Sequence, residues 1–169
     1  PSLVLMERAA LGIAEVIKSK VLKNKKILIV CGSGNNGGDG FAIARLLHDE
    51  NYSVGIAFVG KIESMSDECK QQYCICKNIG ISIETEIPDE EYGVIVDAIF
   101  GVGLCREISG KYASVIECLN AMKGYKVAVD IPSGVSSLDG KILGIAFKAD
   151  LTVSVQCEKL GTVLYPGKD

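Results

Sequence analysis

The chain has 169 residues, which fits a single domain spanning residues 1–169 and burying about two thirds of its unfolded surface. Its 21 acidic and 18 basic residues give a net charge of -3, which argues against nucleic acid or an anionic membrane as a partner. No apolar run reaches the length that a membrane-spanning helix needs.

Short β-branched runs alternate with segments of helical spacing along the chain. Residues 3–21 come first and carry a stripe of apolar side chains at helical spacing, which predicts an amphipathic helix. This order of elements predicts an α/β fold with a largely parallel sheet and helices on both of its faces. Strands are predicted at residues 26–31, 54–59, 94–100, 127–131 and 151–155, and helices at residues 39–49, 66–78 and 112–122.

Residues 32–40, with the sequence GSGNNGGDG, join the first predicted strand to a helix. Their glycines allow the backbone to approach a ligand, and their N–H groups can point at an anion. We therefore expect them to bind a phosphate-bearing, nucleotide-like metabolite, with Asp39 as the N-cap of a helix that begins at Gly40. A tight turn without a ligand is the alternative, but five glycines and two asparagines exceed what such a turn needs.

The same segment satisfies the pattern G-x-G-x-x-G, which by itself is a weak signal for dinucleotide binding. A conventional nicotinamide dehydrogenase also has an acidic residue at the end of the second strand, where it holds a ribose hydroxyl. Here that strand ends in Phe58-Val59-Gly60-Lys61, without an acid. The sequence therefore disfavours an ordinary dehydrogenase.

Two other strand ends carry polar residues followed by glycine. Asp97 lies inside one apolar strand, and burying its carboxylate requires a hydrogen-bond donor or a cation. Arg106 follows as a candidate phosphate ligand, with a solvated loop arginine as the alternative. Asp130 closes the next strand and Ser133 follows it, and a turn-capping Asp is the alternative for Asp130. Ligands of parallel α/β sheets bind at the carboxyl ends of the strands, so these residues should face one crevice.

Asn36, Asp97 and Ser133 offer hard oxygen ligands in one region. Such a set suits an alkali or alkaline-earth cation better than zinc, which prefers His or Cys. Cys69, Cys74 and Cys76 could instead suggest a metal site, but free thiols are the favoured interpretation. The seven cysteines are odd in number, which disfavours a disulfide framework and predicts a reducing cytoplasm.

The motifs GNNGGDG, VDAIFGVGL, VDIPSG and ADLTV, with LVLME near the start, together resemble the YjeF N-terminal domain family of NAD(P)H-hydrate epimerases. The resemblance implies a Rossmann-like three-layer α/β/α sandwich, usually a homodimer, with a potassium ion. It implies an isomerase that interconverts the R and S forms of NADHX and NADPHX, which differ at C6 of the reduced nicotinamide ring. The implied functional partner is an ATP- or ADP-dependent NAD(P)H-hydrate dehydratase, which is fused downstream in many microbes.

The resemblance also assigns roles to individual residues. Asn36, Asp97 and Ser133 match the family's potassium ligands, and Arg106 stands where relatives commonly have a basic residue. Asp130 is our hypothesis for the acid/base that assists loss and return of the C6 hydroxyl. The implied substrate contacts are Asn35, Asn36, Gly37, Gly38, Asp39, Gly101, Val102, Gly103, Leu104, Cys105, Arg106, Glu107, Tyr112 and Asp130.

The chain departs from the family pattern at two places. Arg8 replaces an Asn that many relatives carry in the first helix, and the sequence stops at residues 165–169, where relatives usually continue. We therefore expect an incomplete domain, with no dehydratase domain in this chain. A non-catalytic binding or scaffold module of the same fold is one alternative. A methyltransferase-like nucleotide-binding domain is a weaker one, because it would not require the asparagine pair or the sequence DIPSG.

Overall fold

The computed structural model of the protein describes residues 2–155. The predicted alternation of strands and helices is confirmed there. The helices are α1 (Ser2–Lys20), α2 (Asn35–Asp49), α3 (Asp67–Asn78) and α4 (Lys111–Ala121), and a 3-10 turn occupies Ile62–Ser64. The strands are β1 (Ile27–Cys31), β2 (Val54–Phe58), β3 (Ile83–Glu84), β4 (Val94–Ala98), β5 (Tyr125–Val129) and β6 (Leu151–Val153).

The six strands form one sheet in the order β3-β2-β1-β4-β5-β6, and every neighbouring pair is parallel. The strand order reverses between β1 and β4, where the chain moves from one half of the sheet to the other. In sheets of this kind a crevice opens at that point, outside the carboxyl ends of the strands. The topology thus brings the loops after β1, β4 and β5 to one edge of the sheet.

Two apolar cores cover the two faces of the sheet, because successive side chains of each buried strand point to opposite sides. Ile29 and Val96 point to the face that packs against α1, α2 and α3. Leu28 and Ile95 point to the other face, where Ile116 of α4 is fully buried. The predicted α/β/α sandwich is therefore confirmed.

The structure corrects the start of the second helix. α2 begins at Asn35 with Gly34 as its N-cap, so the sequence-based assignment of Asp39 as the cap was wrong. Glycines are poor helix formers, and their number led to the prediction of a longer loop. Glycine at position 37 allows the first turn of the helix to pack against the backbone of Gly32, where a Cβ would lie 2.0 Å from the carbonyl oxygen.

Smaller differences concern the strand ends. β4 and β5 stop two residues earlier than predicted, so that Asp130 lies directly after its strand rather than inside it. β3 has only two residues, too few for a recognisable pattern.

Among residues 2–155 no helix has the length and apolar character needed to span a membrane. Cys69 and Cys76 are buried free thiols and Cys74 is exposed, while Cys157 lies outside the described residues.

Candidate active site

A cleft of about 1120 Å³ opens at the carboxyl ends of the strands, at the reversal of strand order. It brings together most of the site residues predicted from the sequence. Within the described residues, Gly37, Gly38 and Glu107 are the predicted substrate contacts that do not line it. The lining residues are Ser33, Gly34, Asn35, Asn36, Asp39, Lys61, Ser64, Ile99, Phe100, Gly101, Val102, Gly103, Leu104, Cys105, Arg106, Tyr112, Asp130 and Val155.

The first turns of α2 form one wall of this cleft. Asn35, Asn36 and Asp39 line it together because residues three and four apart share a helix face. The amino end of α2 also presents backbone N–H groups, which favour a bound phosphate. Gly38 packs inward instead, where a Cβ would lie 2.6 Å from the end of the Met6 side chain. Gly37 and Gly38 therefore allow the close packing of the wall, and their contact with substrate remains a prediction.

The three predicted cation ligands come together around the Phe100 peptide. Asn36 donates from Nδ2 to the carbonyl oxygen of Phe100 at 3.0 Å, and the backbone N–H of Phe100 donates to Ser133 Oγ at 2.9 Å. Ser133 Oγ in turn donates to Asp97 Oδ1 at 2.7 Å. The Ser133 backbone N–H donates to Asp97 Oδ2 at 2.7 Å. Asp97 and Ser133 thus lie beneath the cleft floor, while Asn36 and Phe100 line it.

This cluster has acceptor capacity left for a cation. Asn36 Oδ1 is buried and has no hydrogen-bond partner among the described residues, which is costly for a buried acceptor. Asp97 is fully buried, and this burial raises its pKa to about 6, although hydrogen bonds from Ser133 and Ile99 oppose the rise. A nearby cation would favour the charged form of Asp97. The oxygen donors therefore fit a hard cation such as potassium.

Asp130 has an unusual backbone conformation. Its φ is +67°, and the Ile131 N–H donates to the Val129 carbonyl at 2.8 Å, which closes a three-residue γ-turn centred on Asp130. Positive φ is uncommon outside glycine and is tolerated where surrounding contacts hold it. Here the Asp130 N–H donates to the Val153 carbonyl at 2.9 Å, and the Val155 N–H donates to Asp130 Oδ1 at 2.9 Å. β6 and the residues after it thus hold this carboxylate at the cleft.

Asp39 is the second carboxylate of the cleft. Its partial burial and the negative charge of Asp130 raise its pKa to about 7. No hydrogen bond to the Asp39 side chain occurs within the described part of the chain. When two carboxylates share a site, one of them tends to keep its proton near neutral pH. The cleft therefore contains one carboxyl, that of Asp39, which holds its proton readily near neutral pH.

The loop after β4 and the start of α4 close the opposite side of the cleft. Phe100 and Tyr112 pack their rings edge to face with centroids 4.9 Å apart. Gly101 lies against Asn36, whose Cβ would be 3.3 Å from a Cβ placed on the glycine. Arg106 lines the cleft and forms no ion pair with another described residue. The arrangement supplies an aromatic pair and a guanidinium, whose contact with substrate remains a prediction.

Sequence reasoning missed the contribution of the β2 end. Lys61 and Ser64 both line the cleft. Ser33 Oγ accepts from the Lys61 N–H at 2.8 Å and donates to the Lys61 carbonyl at 3.0 Å. The sequence did contain a signal for this contribution to the cleft. A dinucleotide-binding fold has an acid after its second strand to contact the ribose, and here Lys61 follows that strand instead.

A family model and proteins named as NAD(P)H-hydrate epimerases match almost the whole chain. A family model described as "YjeF-related protein N-terminus" matches residues 2–161. The NAD(P)H-hydrate epimerase of Limosilactobacillus fermentum is 43% identical over 99% of this chain and 81% of its own length. The NAD(P)H-hydrate epimerase of Oenococcus oeni is 41% identical over the same shares of the two chains.

Two further matches concern a longer relative and a solved structure. The bifunctional NAD(P)H-hydrate repair enzyme Nnr of Thermofilum pendens is 36% identical over 98% of this chain, which spans 33% of that protein. The crystal structure of the yeast protein ynu0 shares the fold, with a TM-score of 0.85 over 96% of this chain and 74% of that chain, at 22% identity. On these matches, the chain belongs to the family of the YjeF-related protein N-terminus.

Proposed function

We propose that this protein interconverts the R and S forms of NADHX and NADPHX at C6 of the nicotinamide ring, as part of the repair of damaged cofactors. The names of relatives that match along almost the whole chain support this activity. The structural observation that carries the proposal is the pair Asp39 and Asp130, which line one cleft, where burial and the negative charge of Asp130 raise the pKa of Asp39 to about 7. Epimerisation by loss and return of a hydroxyl needs such a pair of groups.

The chemistry requires one acid and one base. In our mechanism a protonated carboxyl of the pair donates its proton to the C6 hydroxyl. The C–O bond then breaks with its electron pair on the departing water, and the ring nitrogen delocalises the positive charge. Water adds to the other face of C6 and gives a proton to a carboxylate of the pair. The numbers of protons and electrons are unchanged, so no oxidant is needed.

The chain's own residues would position the substrate for this step. The amino end of α2 and Arg106 offer donors for the pyrophosphate, and the ring of Tyr112 offers an apolar surface. A potassium ion would be held by Asn36, Asp97 and Ser133, where it would supply positive charge for binding an anionic ligand. Holding the dinucleotide in one orientation would leave the nicotinamide ring at Asp130.

A homodimer is a further part of the proposal. Val4, Leu5 and Leu11 are exposed apolar side chains on α1, which supports a homodimer that covers them. If sedimentation gave the mass of a single chain, the proposed homodimer would be contradicted.

The functional partner and the cellular location are further parts of the proposal. The bifunctional relative supports an NAD(P)H-hydrate dehydratase as functional partner. The free cysteines of the described residues support a cytoplasmic location.

Resolved R-NADHX provides the direct test of the activity. We expect purified protein with potassium to produce S-NADHX faster than the spontaneous reaction, as followed by chromatography. A binding or scaffold module would retain the ligand without changing the rate. Binding without acceleration would therefore contradict the epimerase proposal.

A further inference from the structure

The end of β2 carries a basic residue at the position that distinguishes the two nicotinamide dinucleotides. In folds with this strand order, an acid after the second strand binds the hydroxyls of the adenosine ribose. A basic side chain there accommodates the 2′-phosphate that NADP carries and NAD lacks. In this chain β2 ends at Phe58 and is followed by Val59, Gly60 and Lys61.

The order of the strands separates Lys61 from Asp130 along the cleft. β2, β1, β4 and β5 are consecutive in the sheet, so the ends of β2 and β5 are three strand spacings, about 14 Å, apart. Asp130 follows β5 at one end of the cleft, and Lys61 lies at the other. A dinucleotide with its nicotinamide at Asp130 would pass the amino end of α2 and bring its adenosine ribose toward Lys61.

The backbone around Lys61 is fixed to the segment that follows β1. Ser33 Oγ bonds both the N–H and the carbonyl of Lys61, and the Ser33 carbonyl accepts from the Ser66 N–H at 2.9 Å. A Cβ on Gly60 would lie 2.1 Å from Ser33 Oγ, so this approach requires glycine. Lys61 therefore has a defined position relative to the phosphate-binding end of α2.

The charges near Lys61 leave its ammonium available. Lys61 forms no ion pair with any other described residue. Glu63 follows on the same 3-10 turn but does not line the cleft, whereas Ser64 does. A lysine and a hydroxyl at one end of a cleft form a donor set for a phosphate rather than for a ribose diol.

We propose that Lys61, assisted by Ser64, binds the 2′-phosphate of NADPHX and makes this protein prefer NADPHX to NADHX. The inference rests on the proposed function for the identity of the substrate and adds which of the two hydrates is favoured. Lys61 is a specificity-determining residue, remote from the reacting C6 atom.

The kinetic test compares both hydrates in wild type and in variants. We expect Lys61→Ala to lower kcat/KM for NADPHX about tenfold to a hundredfold, the cost of one charge-assisted hydrogen bond, and to lower kcat/KM for NADHX much less. Lys61→Arg should retain the preference, and Lys61→Glu should reverse it because an acid can bind the free ribose hydroxyls. Lys77→Ala, in the last turn of α3, is the matched control and should change neither value.

A binding measurement separates this inference from the proposed activity. Adenosine 2′,5′-bisphosphate should bind wild type more tightly than adenosine 5′-phosphate in calorimetry, and Lys61→Ala should remove the difference. If neither hydrate is epimerised, the proposed function fails, while this comparison still decides the phosphate site. Equal affinities for the two nucleotides, or an equal loss for both hydrates in Lys61→Ala, would overturn the inference.

Discussion

Among single residues, Asp130 combines a strained backbone with a carboxylate fixed at the cleft. Asn is the informative substitution because it tolerates positive φ and keeps the side-chain shape, but cannot act as an acid or base. We expect Asp130→Asn to lower kcat for epimerisation by about 100-fold to 10,000-fold while the affinity for the hydrate persists. Asp139→Asn, an exposed control, should change neither quantity. Full activity in Asp130→Asn would refute its role as acid/base.

Asp39 gives the reaction a specific dependence on pH. Its pKa of about 7 means that the protonated donor is lost as the pH rises, so kcat/KM should fall above about pH 7. We expect the Asp39→Asn variant to epimerise the substrate more slowly and to lose the fall in kcat/KM above about pH 7. Asp49→Asn, at the end of the same helix, should keep this fall. An unchanged fall in Asp39→Asn would show that another group titrates.

The raised pKa of Asp39 also makes the stability of the folded protein depend on pH. The folded pKa of Asp39 is raised above its ordinary value of 3.8, so the folded protein binds this proton more tightly than the unfolded chain does. The resulting stabilisation is complete below pH 3.8 and is lost as the pH rises through about 7. Asp39→Asn should therefore flatten the dependence of the urea midpoint on pH across this interval.

Asn36 provides the residue-scale test of the cation. A potassium ion bound at the unpartnered Oδ1 of Asn36 should stabilise the folded protein and so raise its melting temperature. At a potassium concentration of 100 times the Kd, the free energy of unfolding should increase by about 2.7 kcal/mol. Tetramethylammonium at the same ionic strength should have no such effect. We expect Asn36→Ala to lose the response to potassium. Asn120→Ala, which removes another part-buried amide bonded to a carbonyl, should keep it. An equal response to both cations in wild type would contradict the site.

Among the elements, the join between β1 and α2 determines the shape of the cleft. Gly37→Ala would place a Cβ 2.0 Å from the Gly32 carbonyl oxygen, while nothing lies within 4 Å of a Cβ on Gly34. We expect Gly37→Ala to cost roughly 1–3 kcal/mol of unfolding free energy, as overpacking does, and to reduce activity. Gly34→Ala should cost less than about 1 kcal/mol, since it changes only an N-cap. Urea unfolding measures both, and equal costs would show that the glycine contact is unimportant.

Element type was predictable from the sequence where periodicity was strong, but element boundaries were not. The buried run before residue 32 identified β1, and helical spacing identified α3 and α4. The start of α2 was misplaced because helix propensity disfavours its glycines, whereas the close approach of its first turn to the Gly32 backbone leaves no room for a Cβ at Gly37. Glycine content and helix propensity do not reveal this close approach, which the folded backbone shows.

At the scale of the whole molecule, the strand order determines which residues meet. The carboxyl-end rule correctly grouped the loops after β1, β4 and β5, because a parallel sheet brings these strand ends to one edge. It could not show that the negative charge of Asp130 raises the pKa of Asp39 across the cleft, since the two residues belong to distant parts of the chain. Nor could it place Lys61, whose position depends on the contact between the β2 end and Ser33.

Exchange between the two hydrates is the most direct measure of the central claim. Proton NMR of an equilibrated mixture of R- and S-NADHX reports transfer of magnetisation between the C6 protons of the two forms. We expect catalytic amounts of the protein with potassium to accelerate this exchange well beyond the spontaneous rate. A rate equal to that without protein, in a sample that demonstrably binds the hydrate, would contradict the assignment of this cleft as an epimerase site.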